Sequence, residues 1–505
     1  MTENTKRHPW RAALAVAAVS AVAVVGLGAP AALAASVIDQ TEGSLTIHKH
    51  ETPTGAPGDG TELTPGPTSD TIDGVEFTVR QVAGVDLSTN AGWLTAQQMY
   101  DAFDPADATA GLTFESPDYV ETTANGGIAD FTALPIGLYL VEETNTPAGV
   151  VASAPFLVTI PITNPDNDNE WIYDVHVYPK NSVIGVTKAV EDTDDYAEGD
   201  KVEWIVTAEI PDLTGTTAQD ITSYTIVDDL DSRLAVTADP ADTAVLVIDP
   251  AVALVRDTDY QVIIGDNPAT TTVTEDANTV SVVFLEPGLN KLEGSRASKV
   301  QLTIATTVLE TGVIPNDATL FTSNPFSKSE VDSNVVNTCW GALNVLKVDA
   351  ADNATVLDGA TFELYSSTAT NPAVADLEPV LSGGSIVSIT TANGGLASID
   401  LLRCSDFEDN ATLSPVRTYY LKETVAPNGY ELLAQPIPFT ITKSDVEAYT
   451  PTSIGLDLTV KDVKKFVLPL TGGSGTAFIY LTGIALLVGG AVFLVIRRRA
   501  AKHHS

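Results

Sequence analysis

Tyr139-Leu140-Val141-Glu142-Glu143-Thr144, with Pro147 and Gly149 behind it, returns later in the chain as Tyr420-Leu421-Lys422-Glu423-Thr424, with Pro427, Gly429 and Tyr430. The match extends upstream. Gly74-Val75-Glu76-Phe77 and Thr123-Ala124-Asn125-Gly126-Gly127 precede the first copy, and Gly359-Ala360-Thr361-Phe362 and Thr391-Ala392-Asn393-Gly394-Gly395 precede the second. Order and chemistry agree throughout, so this is an internal repeat that defines two outer domains. Residues 182–338 lack the pattern and form a third module between them.

The exported part reads as all-β. Short runs rich in Val, Ile, Thr and Tyr, such as 75–79, 202–208, 300–308 and 439–442, alternate with Gly, Pro, Asn and Asp clusters. Long helical periodicity is absent; 94–103 reads as one short helix in an insertion over about 86–118. Strands at this spacing predict three tandem immunoglobulin-like β-sandwiches.

Both chain ends carry processing signals. Lys6, Arg7 and Arg11 precede an apolar segment, and Ala32-Leu33-Ala34 offers a small-x-small cleavage site, with Leu33-Ala34-Ala35 one residue later. This is the pattern of a secretory signal peptide. At the other end an apolar run from 477 to 496 is followed by Arg497, Arg498 and Arg499. About 20 apolar residues span a bilayer, and the arginines stay on the cytoplasmic side. Everything before the run is therefore outside the cell. The expected organisation is a signal peptide (1–35), an N-terminal domain (36–181), a middle domain (182–338), a C-terminal domain (339–466) and a terminal segment (468–505).

The formal net charge is −40. Such a surface excludes nucleic acid, which needs cations against its phosphates, and it repels its own copies unless they are deliberately joined. Cys339 and Cys404 are the only cysteines. An oxidising compartment permits a disulfide between them; the alternative is two buried thiols.

Leu468-Pro469-Leu470-Thr471-Gly472, directly before the spanning run, resembles the cell-wall sorting signal of Gram-positive surface proteins. The resemblance implies that a sortase cuts between Thr471 and Gly472, holds the threonyl group as a thioester and passes it to an amine. Trp171-Ile172-Tyr173-Asp174-Val175-His176-Val177-Tyr178-Pro179-Lys180-Asn181 resembles the pilin motif of Gram-positive shaft pilins, with core V-Y-P-K. That implies Lys180 as the amine, joined to Thr471 of another copy in a covalent homopolymer. An amine attacks only when unprotonated, and free lysine is almost fully charged at neutral pH, so Lys180 must be accessible at a domain edge.

A lysine follows an apolar run near the start of each module: Lys49, Lys188 and Lys347. A buried charged lysine is costly and tends towards neutrality. Its amine can then attack a side-chain amide whose carbonyl is polarised by a carboxylic acid of raised pKa. Shaft pilins carry such internal isopeptide bonds, and the resemblance directs the assignment. In the middle module it gives Lys188, Asn316 and the acid Asp228, with Asp229 as rival acid and Asn334 and Asn337 as rival acceptors. In the third it gives Lys347 and Glu423, the latter in a segment resembling the family's E-box. The family's final-strand Asn is replaced there by Asp462, so water rather than ammonia would leave. In the first module Lys49, Glu143 and Asn181 form the corresponding trio, in a degenerate E-box where Val150 stands for the final Tyr. The bland alternative for all three is a partly buried lysine paired with a carboxylate.

No metal cluster, cofactor motif or hydrolytic nucleophile is evident. His48 and His50 share a strand face and, with His176, read as strand polar residues. The internal chemistry is self-modification, so the chain is expected not to be an enzyme. The implied partners are a pilus-specific sortase, other copies of the chain, minor tip or base pilins and cell-wall peptidoglycan, with a host receptor left open. The implied location is a wall-anchored fimbrium whose precursor passes through the plasma membrane. The competing reading is a wall-anchored monomeric adhesin binding a host protein or glycan; the pilin motif favours the polymer.

Overall fold

The computed structural model describes residues 37–501 apart from 52–57, 194–195, 213–220, 237–238, 249, 266–277, 297, 451–453 and 467–474. The expected signal peptide and the Thr471–Gly472 cleavage point lie outside the described residues. The chain is mostly β, with apolar cores in three successive regions, the first of which has a second cluster around Leu87, Ala96, Leu138 and Leu140.

In the first region, Glu42–His48 pairs in parallel with Asp174–Val177 and antiparallel with Ile128–Pro135. A second sheet runs in the order Tyr119–Thr122, Glu76–Gln81, Gly137–Asn145, Phe156–Ile160. Leu45, Ile47, Phe77, Val79, Phe131, Tyr139 and Val175 from the two sheets share one core. The insertion forms a helix, Asn90–Ala102, which starts earlier than the apolar residues suggest. The cause is Thr89, whose hydroxyl caps the helix by accepting from the Gly92 N–H.

In the middle region, Lys201–Glu209 and Lys299–Val308 pair antiparallel along their length. Val202, Trp204 and Val206 alternate inward, as do Val300, Leu302 and Ile304. This period of two is the signature of a sheet with one face buried. Ser223–Asp229 lies in the other sheet, between Thr279–Phe284 and Ala318–Ser323.

The expected boundary between 338 and 339 falls inside one 14-residue strand, Val336–Asp349. Its first residues pair with Gly312–Asn316, and its remainder pairs with Leu396–Arg403 and, in parallel, with Leu456–Asp462. Backbone hydrogen bonding thus continues from the middle region into the last. The run 439–442 is not wholly strand: Ile437–Phe439 ends and Thr442 opens the helix Lys443–Glu447 through a capping box with Asp445. Gly475–Ala501 is a helix whose apolar portion is exposed throughout and long enough to cross a membrane, with Arg498 and Arg499 in its last turn.

Candidate functional site

Alternation along the first strand of each region decides where its lysine goes. Lys49 continues the inward parity of Leu45 and Ile47, Lys188 sits between inward Val186 and Val190, and Lys347 follows inward Leu343 and Val345. Their exposures are 0%, 4% and 0%. Each ammonium nitrogen lies over an aromatic ring, at 5.7 Å from the Phe77 centroid, 5.6 Å from Trp204 and 5.2 Å from Phe362. Burial pushes Lys49 and Lys188 below the ordinary lysine value, against the pull of Glu143 and Asp228.

The first trio is closed on itself. Lys49 Nζ donates to Glu143 Oε1 and to Asn181 Oδ1, each at 2.6 Å, and Asn181 Nδ2 donates to Glu143 Oε2 at 2.8 Å. The amine, the amide carbonyl and the acid are therefore mutually within hydrogen-bond reach, despite the degenerate E-box. Ser153 Oγ also donates to Glu143 Oε1.

In the middle region, Lys188 Nζ donates to Asp228 Oδ2 and to the Asp317 carbonyl, the latter at 3.0 Å. Desolvation raises the Asp228 carboxyl above its usual range. Asn316 is 2% exposed, adjoins Asp228, and neither atom of its amide finds a hydrogen bond of ordinary geometry. An orphaned buried amide is costly, and this is the group that the acyl-transfer chemistry would consume. The rivals are placed elsewhere. Asp229 faces outward on the same strand. Asn334 is occupied by the Lys188 backbone, accepting from its N–H at 3.0 Å and donating to its carbonyl at 2.9 Å. Asn337 donates to Asn410 Oδ1 at 3.3 Å.

In the third region, Lys347 Nζ donates to Asp462 Oδ1 at 2.5 Å and lies 2.9 Å from Glu423 Oε1. Glu423 Oε2 accepts from the Leu433 N–H at 2.8 Å. Burial, followed by the opposing Lys347 contact, leaves Glu423 above the usual carboxylate value. Parallel pairing of Val336–Asp349 with Leu456–Asp462 brings Lys347 and Asp462 to one place.

Lys180 starts the strand Lys180–Val183, paired in parallel with His50–Glu51 and antiparallel with Val150–Val151. It is half-buried, whereas Asn181 is buried. Upstream, the Tyr178 ring stacks on His48 at 4.6 Å and its hydroxyl accepts from the Leu63 N–H at 2.8 Å. A groove of about 620 Å³ is lined by Trp93, Phe156, Ile162, Val177, Tyr178 and Pro179, the residue before Lys180. Cys339 and Cys404 form a disulfide with a Cα–Cα distance of 5.4 Å.

Sequence reasoning left out the aromatic ring beneath each lysine. Two of the three were legible, because Phe77 and Phe362 occupy the same place in the repeat. Ser153 had no such signal; it reaches Glu143 only through the fold.

Residues 40–182 match the family of the Gram-positive pilin subunit D1, N-terminal domain; 341–453 match the prealbumin-like fold domain; 460–502 match the LPXTG cell wall anchor motif. The chain is 33% identical to fimbrial subunit type 1 of Actinomyces viscosus, over 99% of each chain. It is also 33% identical to fimbrial subunit type 2 of Actinomyces naeslundii, over 100% of this chain and 99% of that one. The full-length major pilin SpaD of Corynebacterium diphtheriae has a TM-score of 0.70 at 30% identity, covering 86% of this chain and 100% of that one.

Proposed function

This chain belongs to the family of Gram-positive fimbrial subunits, and from that premise we propose how its copies are joined and how each copy is braced. It is a structural subunit of a pilus anchored at the cell wall. In the proposed assembly a sortase cleaves Thr471–Gly472 and transfers the threonyl group to Lys180 of another copy. Within each copy, Lys49 bonds to Asn181 and Lys188 to Asn316, each releasing ammonia, and Lys347 bonds to Asp462, releasing water. Glu143, Asp228 and Glu423 are the assisting acids. Each bond forms once per molecule, so the chain acts as substrate and scaffold rather than as an enzyme. The partners are a pilus sortase, further copies, tip or base pilins and peptidoglycan.

The carrying observation is the threefold burial of a lysine against a carboxyl acid, with the acyl acceptor in contact with the lysine in the first and third regions and adjoining the acid in the middle one. A buried ion pair is weak evidence for stability by itself, and three pairs each beside an acceptor suit bond formation better. An internal amide between the first strand and one late in the region also carries tension past the sheet hydrogen bonds, which a filament under shear requires.

Two mass measurements test the proposal. Intact mass of the secreted chain should be short by two ammonias and one water, in addition to the disulfide hydrogens. Peptides from wall-released polymer should contain Thr471 joined to Lys180 Nζ. Unreduced mass, or polymer without that junction, would overturn the corresponding half of the reading.

A further inference from the structure

Every histidine among the described residues, His48, His50 and His176, stands around the acceptor strand. Among the described residues no group of three or more His, Cys, Asp or Glu is arranged to hold a metal ion. His48 and His176 instead share a ring-to-ring hydrogen bond of 2.9 Å between Nε2 and Nδ1. His50 is the partner of Lys180 in the register between His50–Glu51 and Lys180–Val183. Residues side by side on paired strands project to the same face, and successive residues alternate. Lys49 and Asn181 meet on the inner face, so His50, only 8% exposed, and half-buried Lys180 share the other one.

The tautomer of His50 follows from its neighbour. Its Nδ1 lies 3.0 Å from the Ser69 carbonyl oxygen. A carbonyl only accepts, so Nδ1 carries the hydrogen and a neutral His50 keeps its lone pair on Nε2. On this register a nucleophile, a base on the neighbouring strand and a third group bonded to that base fall on one face.

We propose that His50 is the base that receives the ammonium proton of Lys180 during subunit joining. The inference rests on Lys180 being the acceptor. The step balances without further reagents. Lys180 gives one proton to His50 Nε2, and the freed amine attacks the threonyl thioester held by the sortase. The new N–C bond forms as the C–S bond breaks, and the departing sulfur takes the second amine proton to regenerate the enzyme thiol. Imidazole suits this task because its ordinary titration lies nearest neutral pH. The charged and titratable groups around it include Lys180 on the neighbouring strand, His48 on its own side and Asp70 in the 69–71 segment that bridges His50 through Thr71, with Glu62, Asp130 and His176 acting on His48 in turn. The His48–His176 pair holds the motif strand against Glu42–His48 and so positions the site without touching the reacting atoms.

The test uses the full chain as acceptor and a pilus sortase loaded with a peptide containing Leu-Pro-Leu-Thr-Gly. His50→Asn keeps an N–H able to reach the Ser69 carbonyl but removes the base. It should lower kcat for Lys180 acylation by about 10²-fold, leave KM for the acceptor unchanged, and abolish the acid limb of the pH profile. Hydroxylamine as acceptor gives the sortase's own profile for comparison. His50→Gln, read in the same way, replaces His50→Asn if the latter shows a lowered Tm. A variant with wild-type kcat and profile would overturn the role of His50. If Lys180→Arg is dead and the His50 variants are normal, His50 alone is wrongly assigned; if Lys180→Arg is acylated as fast as wild type, the acceptor itself is.

Discussion

Asn181 lies 2.6 Å from Lys49 Nζ in the core, while Lys180, the residue before it, occupies the opposite face of the same strand. One strand thus turns the proposed internal acceptor and the proposed nucleophile to opposite faces on consecutive residues, because strand side chains alternate. Lys180→Ala should therefore abolish the high-molecular-weight ladder on denaturing gels and leave the Lys49–Asn181 mass loss intact. Lys49→Ala should remove that mass loss alone. A Lys180→Ala strain that still builds the ladder would contradict the assignment.

The middle region should depend on its acid. Asp228→Ala removes the group that polarises the Asn316 amide, so the chain should retain one ammonia by intact mass. The proposed Lys188–Asn316 bond would close a loop worth about 5 kcal/mol in the chain-entropy model. Its loss should lower the Tm of that region by roughly 15 °C. Calorimetry checks the second figure, and a variant still short by both ammonias would refute the first.

Asp462 offers a sharper chemical test. The amide made from Lys347 and an aspartate is identical to the one made from Lys347 and an asparagine, apart from the group that leaves. Wild type should lose water and Asp462→Asn ammonia, after which the two chains are chemically identical and share one intact mass. Unbonded chains would differ by the mass difference between Asp and Asn. Asp462→Ala should show no loss in this region.

The pH dependence of bond formation in the middle region follows from the two directions of shift. Burial lowers Lys188, so the neutral amine is available below the ordinary lysine value. Burial raises Asp228, so the acid form persists above the ordinary carboxyl value. The reactive state has both, and is lost in acid as Lys188 takes a proton and in alkali as Asp228 gives one up. The rate during refolding from inclusion bodies should be bell-shaped, with both limbs between about 3.9 and about 10.4. Quenched samples read by mass spectrometry would detect a rate that only climbs with pH, which an unperturbed lysine would give.

Arg403 joins the middle and last regions. Its guanidinium is buried, donates to the Asp192 backbone carbonyl, and lies 3.0 Å from Glu408 Oε2. Asp192 also accepts from Thr338 and from the Asp409 N–H. Arg403→Ala should cost about 3–5 kcal/mol by leaving the Asp192 carboxyl without its cation. Small-angle scattering should report a wider spread of angles between the two regions; an unchanged profile would show that the continuous strand Val336–Asp349 holds them unaided.

The sequence by itself determined what depends on neighbours along the chain. Alternation at Val202, Trp204 and Val206 specifies a half-buried strand, the repeat containing Glu143 and Glu423 specifies two related domains, and the apolar run before Arg497 specifies a spanning helix. Tertiary structure decided what depends on register between distant strands. Asp228 and Asp229 are equivalent in local sequence, but only Asp228 faces Lys188, because the parity of Ser223–Asp229 is set by its pairing with Thr279–Phe284 and Ala318–Ser323. The closed contact of Lys49 with Glu143 and Asn181, and the placing of His50 beside Lys180, arise in the same way. A one-residue slip in any of these pairings would turn the reactive side chain to the wrong face, and that register is fixed by packing across the core rather than by the residues on either side.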